Sequence, residues 1–465
     1  MTPSSPSSRA ARDRLFWRAH FWAGLITAPI VVFAALSGLL YVFSPQIEVW
    51  RHADVDRVSV PASAQALPLD RQVQAALAAT QPEPSAHAGH GAHHGAHHGA
   101  PHPGPQPRFV VPALQPGDTT QVAFRTTGSD HDHDLPQGQT VYVNPYTGQV
   151  VGTLADMARF KTWAKKLHST ALQGDGWRWL LELATSWMLV MMITGLTMWW
   201  PRSVRQGGPG WRALWPRWGQ GRLTWRDLHA SVAIVMGLVL CVILITGLTW
   251  SKYTGVQFKT LQTALHQDTA RPPKGLRSQV PEPGEHAAPA LNWQQAFERA
   301  RAQAPQVSMM ITPPQGPTGV WKIDNFDRSQ PTARFSLVLD QYSGTPLFFA
   351  GWADMPAMSR ATAVGIPFHR GEFGLWNQLL LVLVALSALF SVVSGVVMWW
   401  QRRPQGRAGA PRLSGAHVRA LPWWLWPLLA AMAYAMPVFG ISVLVCLALE
   451  SLRLLHPLTG PASSA

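Results

Sequence analysis

Two stretches of this chain repeat one another in order and in spacing, and that repeat constrains the fold more than any local pattern. Residues 14–20 read RLFWRAH and open an apolar run that ends at Ser37-Gly38-Leu39. Residues 222–229 read RLTWRDLH and open a second run that ends at Thr246-Gly247-Leu248. His20 to Gly38 and His229 to Gly247 are both 18 residues apart. A further pair matches: Leu167-His168 precedes ITGLTMWWPR (193–202), and Phe368-His369 precedes VSGVVMWWQRR (393–403). Such duplication implies two copies of one structural unit. Histidines at corresponding places in both copies are candidate ligands for a metal or a haem.

The surroundings of these histidines are those of a lipid-embedded chain. Hydrophobic residues make up 47% of the sequence and charged ones only 13%, with 23 tryptophans, far from the balance of an ordinary soluble domain. Five apolar runs, near 21–43, 178–200, 229–250, 375–400 and 423–449, each approach the ~20 helical residues needed to cross a bilayer. Five spans are therefore expected, with Pro427 and Pro437 able to kink the last or make it re-entrant. The first run is longer than a secretory h-region of ~7–15 residues and its entry is repeated internally, so it reads as a retained anchor.

Arginine sets the expected orientation. Arg9, Arg12, Arg14 and Arg18 lie in the tail 1–20; the connection 201–228 holds six arginines against Asp227; and 401–422 holds Arg402, Arg403, Arg407, Arg412 and Arg419 with no acid. These segments should face the cytoplasm, and the long connections 44–160 and 251–366 should lie outside it. The net charge of +14 then reflects topology, and no nucleic-acid partner is called for. Cys241 and Cys446, the two cysteines, both fall in apolar runs and there is no C-x-x-C-H, which excludes a disulfide framework and covalent haem attachment.

Both long connections run through the same elements. The first has helical spacing at 70–82, then extended segments at 108–114, 121–127 and 140–144. The second has helical spacing at 292–305, then extended segments at 306–312, 319–324 and 334–340. Each third strand enters a turn of one shape, NPYTG (144–148) or DQYSG (340–344), whose glycine supplies positive φ. The expected architecture is thus a mainly α membrane protein: a tandem repeat of span, small α+β module and span, plus a fifth span. The second and fourth spans occupy 161–200, with an entry helix, and 367–400; the fifth, 423–449, is followed by a tail, 450–465. One insert breaks the symmetry. HAGHGAHHGAHHGAPHPG (87–104) has no counterpart and cannot bury a core, so a mobile loop is expected there.

The run LHSTALQGDGWRWLLELATSWMLVMMITGLTMWWPR (167–202), its partner from 368, and the paired YTG and YSG turns together resemble the PepSY-associated transmembrane proteins. These are often called iron-regulated inner-membrane proteins and include ferric-siderophore reductases. The resemblance covers residues 14 to about 403. It implies a multi-pass protein of the bacterial inner membrane, N-terminus cytoplasmic and large loops periplasmic. It also implies non-covalent b-type haem on histidines at the span ends, with electrons passed outward to a ferric siderophore or another metal chelate. The donor, a quinol or a reductase, is not specified.

Antiparallel topology sorts the four histidines into same-face pairs, His20 with His229 and His168 with His369. Each pair could supply both axial ligands of one haem, giving two haems, one toward each face. Arg18 and Arg226, within a turn of their histidines, are candidates for the haem propionates, although positive-inside anchoring explains them equally. Thr194-Gly195 and Thr246-Gly247 suit close approach of helices or of a flat macrocycle. His87, His90, His93, His94, His97, His98 and His102 form a candidate site for Cu, Ni, Zn or Fe ions, which His131 and His133 could join. Two functions follow: a membrane haem oxidoreductase, or a non-redox metal-handling or scaffold protein without haem. A role in regulating a peptidase rests only on the module's family association.

Overall fold

The computed structural model describes residues 7–62, 65–80, 106–125, 138–205, 212, 214–282, 289–304, 306–403 and 415–455. In chain order the elements are α1 (Ser8–Val42), α2 (Ser44–Arg51), α3 (Ala53–Asp56), α4 (Leu69–Thr80), β1 (Pro107–Val111), β2 (Thr120–Phe124), β3 (Gln139–Val143), β4 (Val150–Ala155), α5 (Phe160–Thr170), α6 (Arg178–Arg205) and α7 (Arg222–Leu248). They continue with α8 (Thr254–Ala264), α9 (Trp293–Gln303), β5 (Met309–Thr312), β6 (Val320–Asn325), β7 (Phe335–Asp340), β8 (Pro346–Gly351), α10 (Ala357–His369), α11 (Leu375–Arg402), α12 (Gly415–Arg419), α13 (Leu425–Ala435) and α14 (Pro437–Leu455). The chain divides into two units: Met1–Val42, Leu167–His266 and Gly365–Ala465 form a helical bundle, and Phe43–Lys166 with Gln267–Val364 form a sheet unit.

The bundle is built inside out relative to a soluble protein. Leu238 is 78% exposed and Val235 64%, whereas Ser186, Asn377 and Ser394 are 0% exposed. Outward-facing aliphatics with small polar residues between helices suit a lipid surround, where packing and interhelical hydrogen bonds replace the hydrophobic effect. Among the described residues four helices are long and apolar enough to cross a membrane: Arg9–Val42, Asp175–Trp200, Arg222–Leu248 and Leu375–Arg402. The expected fifth span over 423–449 is corrected to two short helices. Pro437 removes the amide that would continue the ladder and pushes Met436 out of helical geometry, so α13 ends before it and α14 begins on it. Phe439 of α14 packs against Trp187 of α6 with ring centroids 4.9 Å apart, and Trp187 Nε1 donates to Ser442 Oγ at 2.9 Å.

The second and fourth spans do not start at their histidines. His168 lies in α5 and His369 ends α10. A turn then precedes each span, passing through Gly174 (φ 82°) and Gly374 (φ 86°). Positive φ there lets the chain re-enter the bundle as a new helix.

In the sheet unit, two runs of four strands join in one antiparallel eight-stranded sheet, ordered β4-β3-β2-β1-β5-β6-β7-β8. The expectation of two separate modules is revised here: Val110 of β1 pairs with Ile311 of β5, and one core serves both halves. Alternate residues Val110, Val122, Val141, Ile311, Ile323 and Leu337 point into that core, against Leu69 and Val73 of α4 and Ala296 and Ala300 of α9. The two helices cap one another: Asp70 accepts from the amides of Trp293 and Gln294, and Gln294 Oε1 accepts from the Leu69 amide. β8, which reads PLFFAG, shows no apolar–polar alternation to mark it as a strand, and α8 carries no period strong enough to predict.

The paired turns form as expected. Asn144 Oδ1 accepts from the Tyr146 and Thr147 amides, and Asp340 Oδ1 from those of Tyr342 and Ser343. Asp340 also accepts from the Gln279 amide at 2.8 Å. Burial opposes its ionisation, but the amides of Ser343, Gln279 and Tyr342 outweigh that and hold its carboxyl below the usual carboxylate range. A depressed pKa contributes stability above the unfolded value, near 3.9, and that contribution is lost as pH falls through the folded value. Amide exchange protection at Gln279, Tyr342 and Ser343 should therefore drop below about pH 4. Asp340→Asn should flatten that dependence, as hydrogen-exchange mass spectrometry of the 279 and 340–344 peptides would register.

Candidate functional site

Every one of the four repeated histidines in the bundle makes the same contact. His20 Nδ1 lies 3.1 Å from Thr194 Oγ1 and 3.1 Å from the Met191 carbonyl of α6. His168 Nδ1 lies 3.0 Å from Ser37 Oγ of α1. His229 Nδ1 lies 2.8 Å from Ser394 Oγ of α11. His369 Nδ1 lies 3.1 Å from Thr246 Oγ1 and 2.9 Å from the Ile243 carbonyl of α7.

The hydroxyl in each contact has already spent its proton. Thr194, Ser37, Ser394 and Thr246 donate to the carbonyls of Val190, Phe33, Phe390 and Val242, four residues back on their own helices, at 2.7–2.9 Å. An oxygen so committed can only accept, so the proton between it and the imidazole belongs to Nδ1. All four rings are thereby held as the Nδ1–H tautomer with a bare lone pair on Nε2. Among the described residues no group bonds to any of the four Nε2 atoms. This is the arrangement of a metal-ligating histidine whose remote nitrogen is fixed by an outer partner.

The residue after each hydroxyl is glycine, and at Gly195 and Gly247 the imidazole stands where a side chain would crowd it. A Cβ on Gly247 would stand 3.1 Å from His369 Cε1, one on Gly195 3.3 Å from His20 Cε1, and one on Gly38 3.6 Å from His168 Cε1. Gly395 has no such neighbour. The sequence suggested close approach of helices or of a flat macrocycle at Gly195 and Gly247, and the nearest group at both is a histidine ring. Ser37 and Ser394, with the two threonines, are the functional residues that sequence reasoning missed. Their signal was the four-fold recurrence of a hydroxyl residue before glycine.

The contacts are exchanged within each half and the rings meet between halves. His20 goes from α1 to α6 while His168 returns from α5 to α1; His229 goes from α7 to α11 while His369 returns from α10 to α7. Across the halves, the His20 and His229 ring centroids are 6.3 Å apart with planes at 74°. His168 and His369 lie within electrostatic reach of one another, and the edge of Trp250 meets His369 at 5.9 Å. His20 and Ser37, which mark the two levels on α1, are 17 residues apart, or about 26 Å along a helix. That is most of the ~30 Å hydrocarbon thickness.

Other candidates fall elsewhere. Arg18 binds Glu450 of α14 at 2.7 Å and Arg226 binds its neighbour Asp227 at 2.9 Å, so both meet carboxylates of the chain itself. Cys241 and Cys446 are free thiols. The histidines of the 87–102 insert, with His131 and His133, lie outside the described residues. Among the described residues no group of three or more His, Cys, Asp or Glu side chains could hold a metal ion.

A family model described as the PepSY-associated TM region matches residues 17–402, a stretch that encloses all four histidines. No curated protein matches the chain. If the hydroxyls set the tautomer, imidazole nitrogen NMR should report Nδ1–H at all four positions. Ser394→Ala should disturb only the His229 signals, at a cost of about 1 kcal/mol for one hydrogen bond.

Proposed function

The chain belongs to the PepSY-associated transmembrane family, and from that premise we propose that it is a di-haem b electron-transfer protein of the bacterial inner membrane. His20 and His229 would hold one haem toward the cytoplasmic face, and His168 and His369 a second toward the periplasmic face. The observation that carries this reading is the set of four Nε2 lone pairs left free by equivalent Nδ1 contacts, with the rings of His20 and His229 meeting 6.3 Å apart.

The residues fit the group. Two imidazoles that would share one metal ion, with nitrogens roughly 2 Å from it, must bring their rings within several ångströms of each other. The His20–His229 separation is 6.3 Å. Bound haem would supply reversible one-electron exchange between Fe(III) and Fe(II). The chain's own contribution is then positional. The hydroxyls orient the imidazoles and raise their donor strength, while Gly195 and Gly247 leave room for the rings of His20 and His369.

The acceptor on this reading is a ferric siderophore or a similar oxidised metal chelate, presented outside the membrane and reduced by one electron. The donor is a quinol or a reductase on the cytoplasmic side, where the arginine-rich connections would lie. Full-length protein purified from haem-replete cells should show a sharp Soret band and split α/β bands on reduction. His229→Ala should lose about half the pigment, and His229→Ala with His369→Ala nearly all. Colourless wild-type protein would overturn the haem reading and leave the metal-handling scaffold in its place.

A further inference from the structure

With Arg18 and Arg226 committed to carboxylates of the chain, Arg402 is, among the described residues, a guanidinium beside His20 that meets no carboxylate. Arg402 ends α11 and turns its guanidinium inward onto α1, 4.8 Å from the Trp17 ring centre and 5.5 Å from that of Phe21. These two aromatics flank His20, one next to it and one a turn before. Arg402 Nε is sealed from solvent and has no hydrogen-bond partner. Arg222, at the start of α7, is an exposed cation whose like charge opposes that of Arg402. It stands seven residues before His229, two turns and about 10 Å along the same helix face. Neither arginine meets a carboxylate among the described residues.

Positive-inside anchoring does not account for this pose. The neighbouring Arg403 shows what anchoring looks like: it is exposed and lies 3.6 Å over the ring of Trp400. Arg402 points the other way, into the packing between α1 and α11. An unmet buried donor costs about 1–3 kcal/mol, so this one is built for an acceptor that arrives from outside the chain. A guanidinium takes a carboxylate or a phosphate by its planar fork, and the acceptor must lie at the level of His20.

We infer that Arg402 receives a propionate carboxylate of the haem held between His20 and His229. The inference rests on the haem reading above and assigns the charge partner within that site. A phospholipid headgroup would offer the same chemistry, so the test separates the two sources.

The experiment uses full-length protein in a phosphate-free sugar detergent. Haem is drawn off by apomyoglobin and followed at the Soret band. Wild type, Arg402→Gln, Arg222→Gln, the double variant and Arg402→Lys are compared, with His20→Ala identifying the component that belongs to the inner pair. The double variant should release that component at least tenfold faster, about the value of one charge-assisted contact, with the outer component unchanged and Arg402→Lys intermediate. In wild type refilled with haem dimethyl ester, which lacks the carboxylate charges, the inner component should likewise leave tenfold faster. Equal release of ester and haem from the inner site, or an unchanged double variant, would overturn the inference. Should the double variant misfold, the ester comparison on wild type decides alone. Wild type without any haem would overturn the functional reading itself, which is a different result.

Discussion

One small interaction organises the bundle: a serine or threonine hydroxyl gives its proton to its own helix and offers its oxygen to an imidazole on another. The intrahelical bond makes the hydroxyl an obligatory acceptor. The imidazole therefore donates from Nδ1, and the opposite nitrogen is left with a lone pair and no partner in the chain. Repeated at Ser37, Thr194, Thr246 and Ser394, the interaction ties α1 to α5 and α6, and α7 to α10 and α11. It also sets the chemistry of both levels of the site.

The same interactions explain how polar residues are tolerated among membrane helices. A hydroxyl with its proton satisfied within its helix adds little cost in hydrocarbon. A histidine is expensive there unless its ring is bonded and its second nitrogen has a use. Gly195 and Gly247 complete the arrangement at their positions by removing the side chain that would crowd the ring. Interhelical contact and tautomer follow from one hydroxyl, bonded to its own helix and placed four times.

Much of this was legible in the sequence. The duplicated histidines, the four long spans and the NPYTG and DQYSG turns all follow from spacing and composition, because each depends on residues near one another in the chain. The break at Pro437 was visible as an option, and the structure takes it. The joining of the two strand sets was not legible: the β1–β5 pairing links residues about 200 positions apart, and nothing local specifies a partner for an edge strand. Nor was the fate of the arginines. Arg18 and Arg402 are equally cationic in the sequence, and only helix packing sends one to Glu450 and the other onto Trp17 and Phe21.

The sequence by itself determined that the chain is a membrane protein with four histidines at matching places beside its apolar runs, since hydropathy and spacing are properties of the order of residues. The tertiary structure alone decided which nitrogen of each ring is free, which rings meet, and which charges remain open beside them. Those depend on how helices are rotated against one another, and a helix of given period can turn the same residue toward any of several neighbours until packing selects one.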